Sequence, residues 1–288
     1  MRMSASSSSV IRAGKQAARE ILRARADDGS TATPPTIPPA TGPGQYRPTP
    51  PGFAPAVFTH WPAVRPFVLA RASDFRPGRY PELTSARYAN AANEVASLGQ
   101  DISKTRTADQ TEQAKFWAAP IWNLWNEIAQ SVLATVSTAR AAQVFARLNL
   151  TFADAVIAFY DAKYHYRIWR PITAVRLAGT DGNPATTADP AWNSLAATPA
   201  DPAYPGAHSV ISQAGALILR HEPASHRMLS VTSEALPGTV RRFRTFQQAA
   251  DEAGESRIFA GVHSRLDHVS GKRLGSDVAR AVVPDVRH

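Results

Sequence analysis

The chain is organised around residues 163–171, which read KYHYRIWRP. Lys163 lies among tyrosines and a tryptophan, so its ammonium group is partly desolvated and needs either an anion or a route to solvent. If one helix continues through this stretch, Lys163 and Arg170 lie two turns apart and project from the same face. Taken alone, the stretch is compatible both with a buried cation pair and with a surface pair.

Two later stretches carry further groups able to do chemistry. Residues 204–209 read YPGAHS, and His208 lies at the start of an expected helix, where free N–H groups and the helix dipole favour an anion. Residues 256–267 read SRIFAGVHSRLD, in which Arg257 can clamp an oxyanion. Asp267 follows His263 by four residues and can orient its imidazole if both lie on one helix. An exposed histidine and a surface His–Asp pair are the alternatives for these stretches.

Composition narrows the classes of partner. The 288 residues suffice for one large domain or two small ones. The absence of cysteine excludes disulfides and thiolate metal sites. The net charge of +9 favours anionic ligands or nucleic acid. The chain has no dense basic run and no RNA-binding motif, so we expect no nucleic-acid partner. It also has no uninterrupted run of about 18 apolar residues, so we expect no membrane span.

The start of the chain bears on localisation. Residues 1–9, MRMSASSSS, are not followed by the apolar core of a signal peptide. As written, the chain is expected to be cytoplasmic. If the start is truncated, the missing part would have contributed additional helices and an export signal, and the protein would be exported. The sequence leaves the localisation undetermined between these two expectations.

Apolar residues recur at helical spacing along most of the chain. This pattern predicts helices over residues 10–26, 79–98, 107–137, 138–170, 208–219, 247–261 and 265–283, with a short strand or turn within 236–246. Pro120 kinks the third helix or begins a new one, and the aromatic stripe around it is expected to lie in the core. The fold class is therefore all-α, a helical bundle with long Pro-rich surface loops.

A Pro-rich segment divides the chain into three parts. Nine prolines lie within residues 34–55, and several aromatic residues follow. A flexible linker is poor in aromatic residues, so we expect a strap that packs on the body. The predicted parts are an N-terminal tail and helix (1–33), a Pro-rich strap (34–66) and a helical catalytic domain (67–288).

The order of the three motifs resembles that of a known superfamily. Lys-x6-Arg-Pro, then Pro-Gly-Ala-His, then Ser-Arg-x5-His-x3-Asp resembles the vanadium-dependent haloperoxidase and type 2 phosphatidic acid phosphatase (PAP2-like) superfamily, in its soluble bacterial haloperoxidase-like branch. The first and third motifs match in full. The second departs, because Gly206 and Ala207 stand where the family usually has Ser-Gly. The resemblance implies a helical bundle of the PAP2/haloperoxidase type.

The resemblance also implies roles for individual residues. His208 would be the acid–base residue, and Asp267 would orient His263. His263 would bind vanadium in a haloperoxidase or form a phosphohistidine in a phosphatase. The oxyanion would be bound by the side chains of Lys163, Arg170 and Arg257 and by the backbone N–H groups of Gly206 and Ala207. Gly206 lacks the hydroxyl donor that family members often have at this position. By analogy with oxyanion holes, the loss of this donor would weaken stabilisation of the oxyanion by roughly 3 kcal/mol.

The function implied by the resemblance is a vanadate-dependent haloperoxidase, in which histidine-bound vanadate serves the oxidation of a halide by hydrogen peroxide. One alternative is a soluble acid phosphatase that acts through a phosphohistidine and needs no cofactor. Another is a non-catalytic oxyanion-binding protein. The expected partners are small molecules, namely hydrogen peroxide, a halide or a phosphate ester, and a homo-oligomer is compatible with each of these functions.

Overall fold

The computed structural model describes residues 5–220, 222 and 228–283. The helices, in chain order, are α1 (Ala5–Ala24), α2 (Ala86–Leu98), α3 (Ala108–Phe116), α4 (Ile121–Val132), α5 (Thr138–Tyr166), α6 (Pro171–Arg176), α7 (Ala207–Leu219), α8 (Phe246–Phe259) and α9 (Arg265–Val282). Strands β1 (Leu229–Thr232) and β2 (Val240–Phe243) pair antiparallel. The all-α prediction is confirmed, and the hairpin is a small addition to a helical bundle.

Helix α7 lies at the centre of the bundle. Its residues from Ser209 to Leu219 are all buried, and it packs against α4, α5, α8 and α9. Helix α9 can approach it closely because Gly275 has no side chain, since a Cβ there would lie 2.2 Å from the carbonyl oxygen of Val210. This contact places the first turn of α7 against the middle of α9.

Helix α5 ends earlier than the sequence predicts. Arg167 adopts a left-handed conformation with φ of 50°, and its N–H group donates to the carbonyl oxygen of Lys163 at 2.9 Å, a common way to terminate a helix. The chain then runs extended, and Arg170 becomes the N-cap of α6. Pro171 suits the first position of α6 because its φ is already helical. The prediction of one helix through residue 170 is therefore wrong.

The same helix has the length and mean hydropathy of a membrane span, although it contains no uninterrupted run of 18 apolar residues. Among the described residues it is the one helix that meets both measures, and half of its apolar stretch is buried inside the protein. A core helix of a folded protein meets the same measures, and α5 packs against α4, α7 and α9. The absence of a membrane span stays a prediction.

The Pro-rich segment packs on the body, as predicted. The N–H group of Tyr46 donates to the carbonyl oxygen of Arg167 at 2.7 Å, and that of Trp169 donates to Gly44 at 2.9 Å. The strap therefore lies directly against the extended chain that leads from α5 to α6. The division of the chain into parts 1–33, 34–66 and 67–288 stays a prediction.

Three further helix predictions are refined by the structure. The stretch 79–85 is not helical, since Ser85 caps α2 by accepting the N–H of Tyr88 at 3.2 Å. Pro120 starts α4 as a new helix rather than kinking one helix. The aromatic stripe lies in the core except for Trp122, which is 45% exposed. Helix α1 forms, with residues 9–24 exposed. Residues 1–4 lie outside the described part of the chain.

Candidate active site

Three buried cations and two histidines from distant parts of the sequence converge where α5, α6, α7 and α8 meet the start of α9. Lys163 and Arg170 are 0% and 1% exposed, and Arg257 and His263 are also buried. A guanidinium nitrogen of Arg170 (Nη1) lies 3.3 Å from Nε2 of His263. The sequence-predicted residues are thus brought together, and we call Lys163, Arg170 and Arg257 the cation cluster.

Asp201 links two members of the cation cluster. Its carboxylate lies 3.2 Å from Nζ of Lys163 and accepts a hydrogen bond from Nη2 of Arg170. Its carbonyl oxygen accepts from Nε of Arg170 at 2.7 Å. Pro202 accepts from Nζ of Lys163, and the N–H of Ala203 holds this loop by donating to the carbonyl oxygen of residue 168 at 3.0 Å.

This arrangement corrects the geometric argument for the first motif. Lys163 and Arg170 do not share one helical face, because Lys163 lies in α5 whereas Arg170 caps α6. They meet because both side chains reach Asp201. Asp201 is not predicted by any of the three motifs, and its only local signal is its position in the loop just before Tyr204-Pro205.

Burial and charge act in opposite directions on this group. Burial lowers the pKa of Lys163 to about 8, although Asp201 opposes the shift. Burial alone would raise the pKa of Asp201, but Lys163 and Arg170 together bring it below its usual value. At neutral pH the carboxylate is therefore ionised and the ammonium is mostly protonated.

Arg257 has no comparable partner. Its Nη2 donates to the carbonyl oxygen of Ala114 and its Nε to the hydroxyl of Ser256 at 3.1 Å. Within the residues that the structure describes, it forms no ion pair with a carboxylate. Burial lowers its pKa to about 10, so it remains charged at neutral pH. A buried charge without a counter-ion is costly, and an anion bound beside this guanidinium would offset that cost.

His263 is held in the tautomer that leaves one nitrogen lone pair directed at the cation cluster. Arg170 can only donate, so Nε2 of His263 accepts at 3.3 Å, and the proton lies on Nδ1, 3.4 Å from Oδ2 of Asp267. This tautomer is assigned from the contacts. Burial, followed by Arg170 and Lys163, places the pKa of His263 well below its ordinary value. A neutral imidazole of this kind can bind a metal centre or attack phosphorus.

The contact between His263 and Asp267 arises from a helix cap rather than from helical spacing. His263 precedes Ser264, the N-cap of α9, and Asp267 completes a capping box with Ser264. Oδ2 of Asp267 accepts the N–H of Ser264 at 2.7 Å. Burial raises the pKa of Asp267. The predicted proximity of the two residues is present, but the reasoning from one continuous helix is wrong.

His208 is the second residue of α7 and is partly buried. Its Nε2 lies 2.9 Å from the carbonyl oxygen of Trp117, which can only accept, so Nε2 carries the proton and Nδ1 keeps its lone pair. Burial places its pKa well below the ordinary value, and Arg257, His263 and Lys163 lower it further. His208 is therefore neutral and able to accept a proton.

The backbone donors differ from the expectation at one position. The N–H of Gly206 donates to the carbonyl oxygen of Asp267 at 2.9 Å, so it joins α7 to α9 and is not free for a ligand. The prediction for this donor is wrong. The N–H groups of Ala207 and His208 lie in the first turn, where no intrahelical acceptor exists. A Cβ at Gly206 would lie 3.2 Å from the same Asp267 oxygen, so a serine would be crowded there.

The fold and the cluster define a class of protein: a helical bundle with three buried cations and a histidine directed at them. A family described as the VCPO second helical-bundle domain matches residues 143–288, half of the chain. The chain belongs to this family. The resemblance inferred from the three motifs is thereby confirmed.

The chain is also similar to individual proteins. It is 25% identical to the vanadium chloroperoxidase of Curvularia inaequalis over 258 residues, which include 66% of this chain and 42% of that protein. It is 28% identical to a bacterial vanadium-dependent iodoperoxidase of known structure, with a TM-score of 0.82, covering 94% of this chain and 68% of that one. An apo-type bacterial vanadium-dependent chloroperoxidase, 16% identical over 94% of this chain and 74% of its own, has a TM-score of 0.72 and shares the fold. The chain thus spans less than half the length of the Curvularia protein.

Proposed function

We propose that the chain is a vanadate-dependent haloperoxidase, which oxidises a halide with hydrogen peroxide. The observation that carries the proposal is the buried guanidinium of Arg257, which has no carboxylate partner among the described residues and lies with two further cations and a neutral histidine. The similarity to vanadium chloroperoxidase and iodoperoxidase supports vanadate as the anion.

The residues present fit a vanadate better than a bare metal cation. Within the described part of the chain no group of three or more His, Asp or Glu side chains could hold a metal ion. Vanadate needs only one nitrogen ligand together with donors to its oxygens. Nε2 of His263 would be that ligand, and Lys163, Arg170, Arg257 and the N–H of Ala207 would bind the oxygens.

When bound, vanadate supplies the activation of hydrogen peroxide, so that the halide X⁻ is oxidised according to H₂O₂ + X⁻ + H⁺ → HOX + H₂O. The chain supplies the proton handling and the charge. His208 accepts a proton at Nδ1 from the incoming peroxide, while its Nε2–H group remains hydrogen-bonded to the Trp117 carbonyl oxygen. The charge of Asp267, with Oδ2 at 3.4 Å from Nδ1 of His263, favours the proton on that nitrogen, and the cation cluster stabilises the charge on the oxygens.

A paired assay tests the proposal. Halogenation of a phenolic dye is measured with chloride, bromide and iodide in the presence and absence of vanadate, and hydrolysis of a chromogenic phosphate ester is measured beside it. We expect vanadate-dependent halogenation that His263→Ala abolishes. His60→Ala is the control, because His60 is a histidine outside the site, with Nε2 at 3.2 Å from the carbonyl oxygen of Ser30.

The outcomes are distinct. Phosphate-ester hydrolysis without vanadate, lost in His263→Ala, would instead establish the phosphohistidine enzyme. Binding of vanadate with neither activity would establish an oxyanion-binding protein. Halogenation that persists in His263→Ala would overturn the assignment of the site.

A further inference from the structure

We propose that Asp201 is a specificity-determining residue of this site, an internal counter-ion that competes with the incoming oxyanion. The proposal rests on the proposed function in that it concerns the same cation cluster. The Asp201 carboxylate occupies the side of the cluster formed by Lys163 and Arg170. An anion must therefore displace this carboxylate or bind mainly to Arg257.

The geometry shows that the carboxylate takes donors that an oxyanion needs. Nζ of Lys163 lies 3.2 Å from the Asp201 carboxylate, and Nη2 of Arg170 donates to the same group. Asp201 is 6% exposed, so water screens these contacts little. Two of the three cations thus already have a counter-ion, whereas Arg257 has none among the described residues.

The carboxylate is not needed to place the two cations. The carbonyl oxygen of Asp201 holds Nε of Arg170 at 2.7 Å, and that of Val262 holds Nη1 at 2.8 Å. Lys163 donates to the Pro202 carbonyl oxygen. Because backbone carbonyls position both side chains, removal of the carboxylate changes chiefly the charge of the site.

The net charge of the site determines which oxyanions it favours. With both histidines neutral, the three cations together with the carboxylates of Asp201 and Asp267 leave one net positive charge. Such a site binds a singly charged oxyanion and binds more highly charged oxyanions weakly. Without the Asp201 carboxylate the net positive charge doubles, so oxyanions, and multiply charged ones most of all, bind more tightly.

The test compares Asp201→Asn with the wild type by isothermal titration with inorganic phosphate and with vanadate at pH 7. We expect the variant to bind both anions at least about tenfold more tightly, as a unit charge removed from a poorly screened site implies. Asp161→Asn is the matched control, because Asp161 is also buried, at 8% exposed. Its carboxylate accepts a hydrogen bond of 2.8 Å from Arg76, which is not part of the cation cluster. Its affinity for phosphate is expected to be unchanged.

Equal or weaker binding by a folded Asp201→Asn variant overturns the proposal while leaving the proposed function intact. Tighter binding without halogenation supports the proposal and refutes the proposed function. If neither protein binds an anion, both fall. If the variant does not fold, a crystal structure of the wild type with phosphate decides. The Lys163–Asp201 contact should then be lost, and its persistence with phosphate seated among the three cations overturns the proposal.

Discussion

Replacing Arg257 with methionine should separate the stability of the protein from its capacity to bind an anion. Burial lowers the pKa of Arg257 from its ordinary value to about 10, and this fall corresponds to about 3 kcal/mol, at 1.36 kcal/mol per pKa unit. At pH 7 the group is protonated in both the folded and the unfolded states. The whole cost is therefore present in the folded protein.

The substitution also removes favourable contacts. The hydrogen bonds of Arg257 to the Ala114 carbonyl and the Ser256 hydroxyl are worth about 1 kcal/mol each, and methionine fills the space of the removed side chain. The anion-free variant is therefore expected to be about 1 kcal/mol more stable than the wild type. With phosphate at a hundred times its dissociation constant, the wild type gains about 2.7 kcal/mol, and the variant gains little. The order of stability should reverse.

Urea unfolding at pH 7 with and without phosphate measures both quantities. Arg106→Met is the matched control, since Arg106 also binds a backbone carbonyl, that of Leu98 at 2.6 Å, but outside the site. The control should lose stability and keep the gain from phosphate. An Arg257→Met variant that is destabilised by more than about 2 kcal/mol and keeps the full phosphate gain would refute the reasoning.

Three further predictions follow from the same contacts. Sulfate affinity should fall as the pH rises from 7 to 9, because Lys163 loses its proton with a pKa of about 8. In titrations of Lys163→Met, the affinity should not change over this pH range, and a fall that persists in this variant would assign the titration to another group. Asp267→Asn should cost roughly 10–100-fold in vanadate affinity or turnover without loss of stability in thermal unfolding, and unchanged affinity would show that His263 needs no charged partner. Gly275→Ala should lower the free energy of unfolding by about 2 kcal/mol, because the added Cβ would lie 2.2 Å from the backbone oxygen of Val210. An unchanged free energy in urea unfolding would contradict the close packing of α7 and α9.

Much of the site could be predicted because its residues fall in short motifs with fixed order. Lys163, Arg257 and His263 are buried near one another, and His208 lies in the first turn of a helix, as the small residues before it indicate. The presence of most helices could also be predicted, because apolar residues recur at helical spacing wherever one face of a helix is buried. These features depend on local sequence, which is why the sequence reveals them.

The remaining features depend on contacts between distant residues. The end of α5 at Tyr166 follows from the left-handed Arg167 and from the strap that pairs with the next residues, and nothing in KYHYRIWRP marks it. Asp201 reaches the site through a loop held by backbone hydrogen bonds to distant residues, those of Ala200 with Val57 and of Ala203 with Ile168. The N–H of Gly206 is consumed by Asp267, 61 positions later in the chain. None of these has a local pattern.

The central claim is that the cation cluster and His263 form a vanadate site. A crystal structure of the protein soaked with orthovanadate tests it most directly. We expect vanadium bonded to Nε2 of His263, with oxygens hydrogen-bonded to Arg257 and to the N–H of Ala207. Vanadate bound elsewhere, or absent from the cluster at a concentration that supports halogenation, would contradict it.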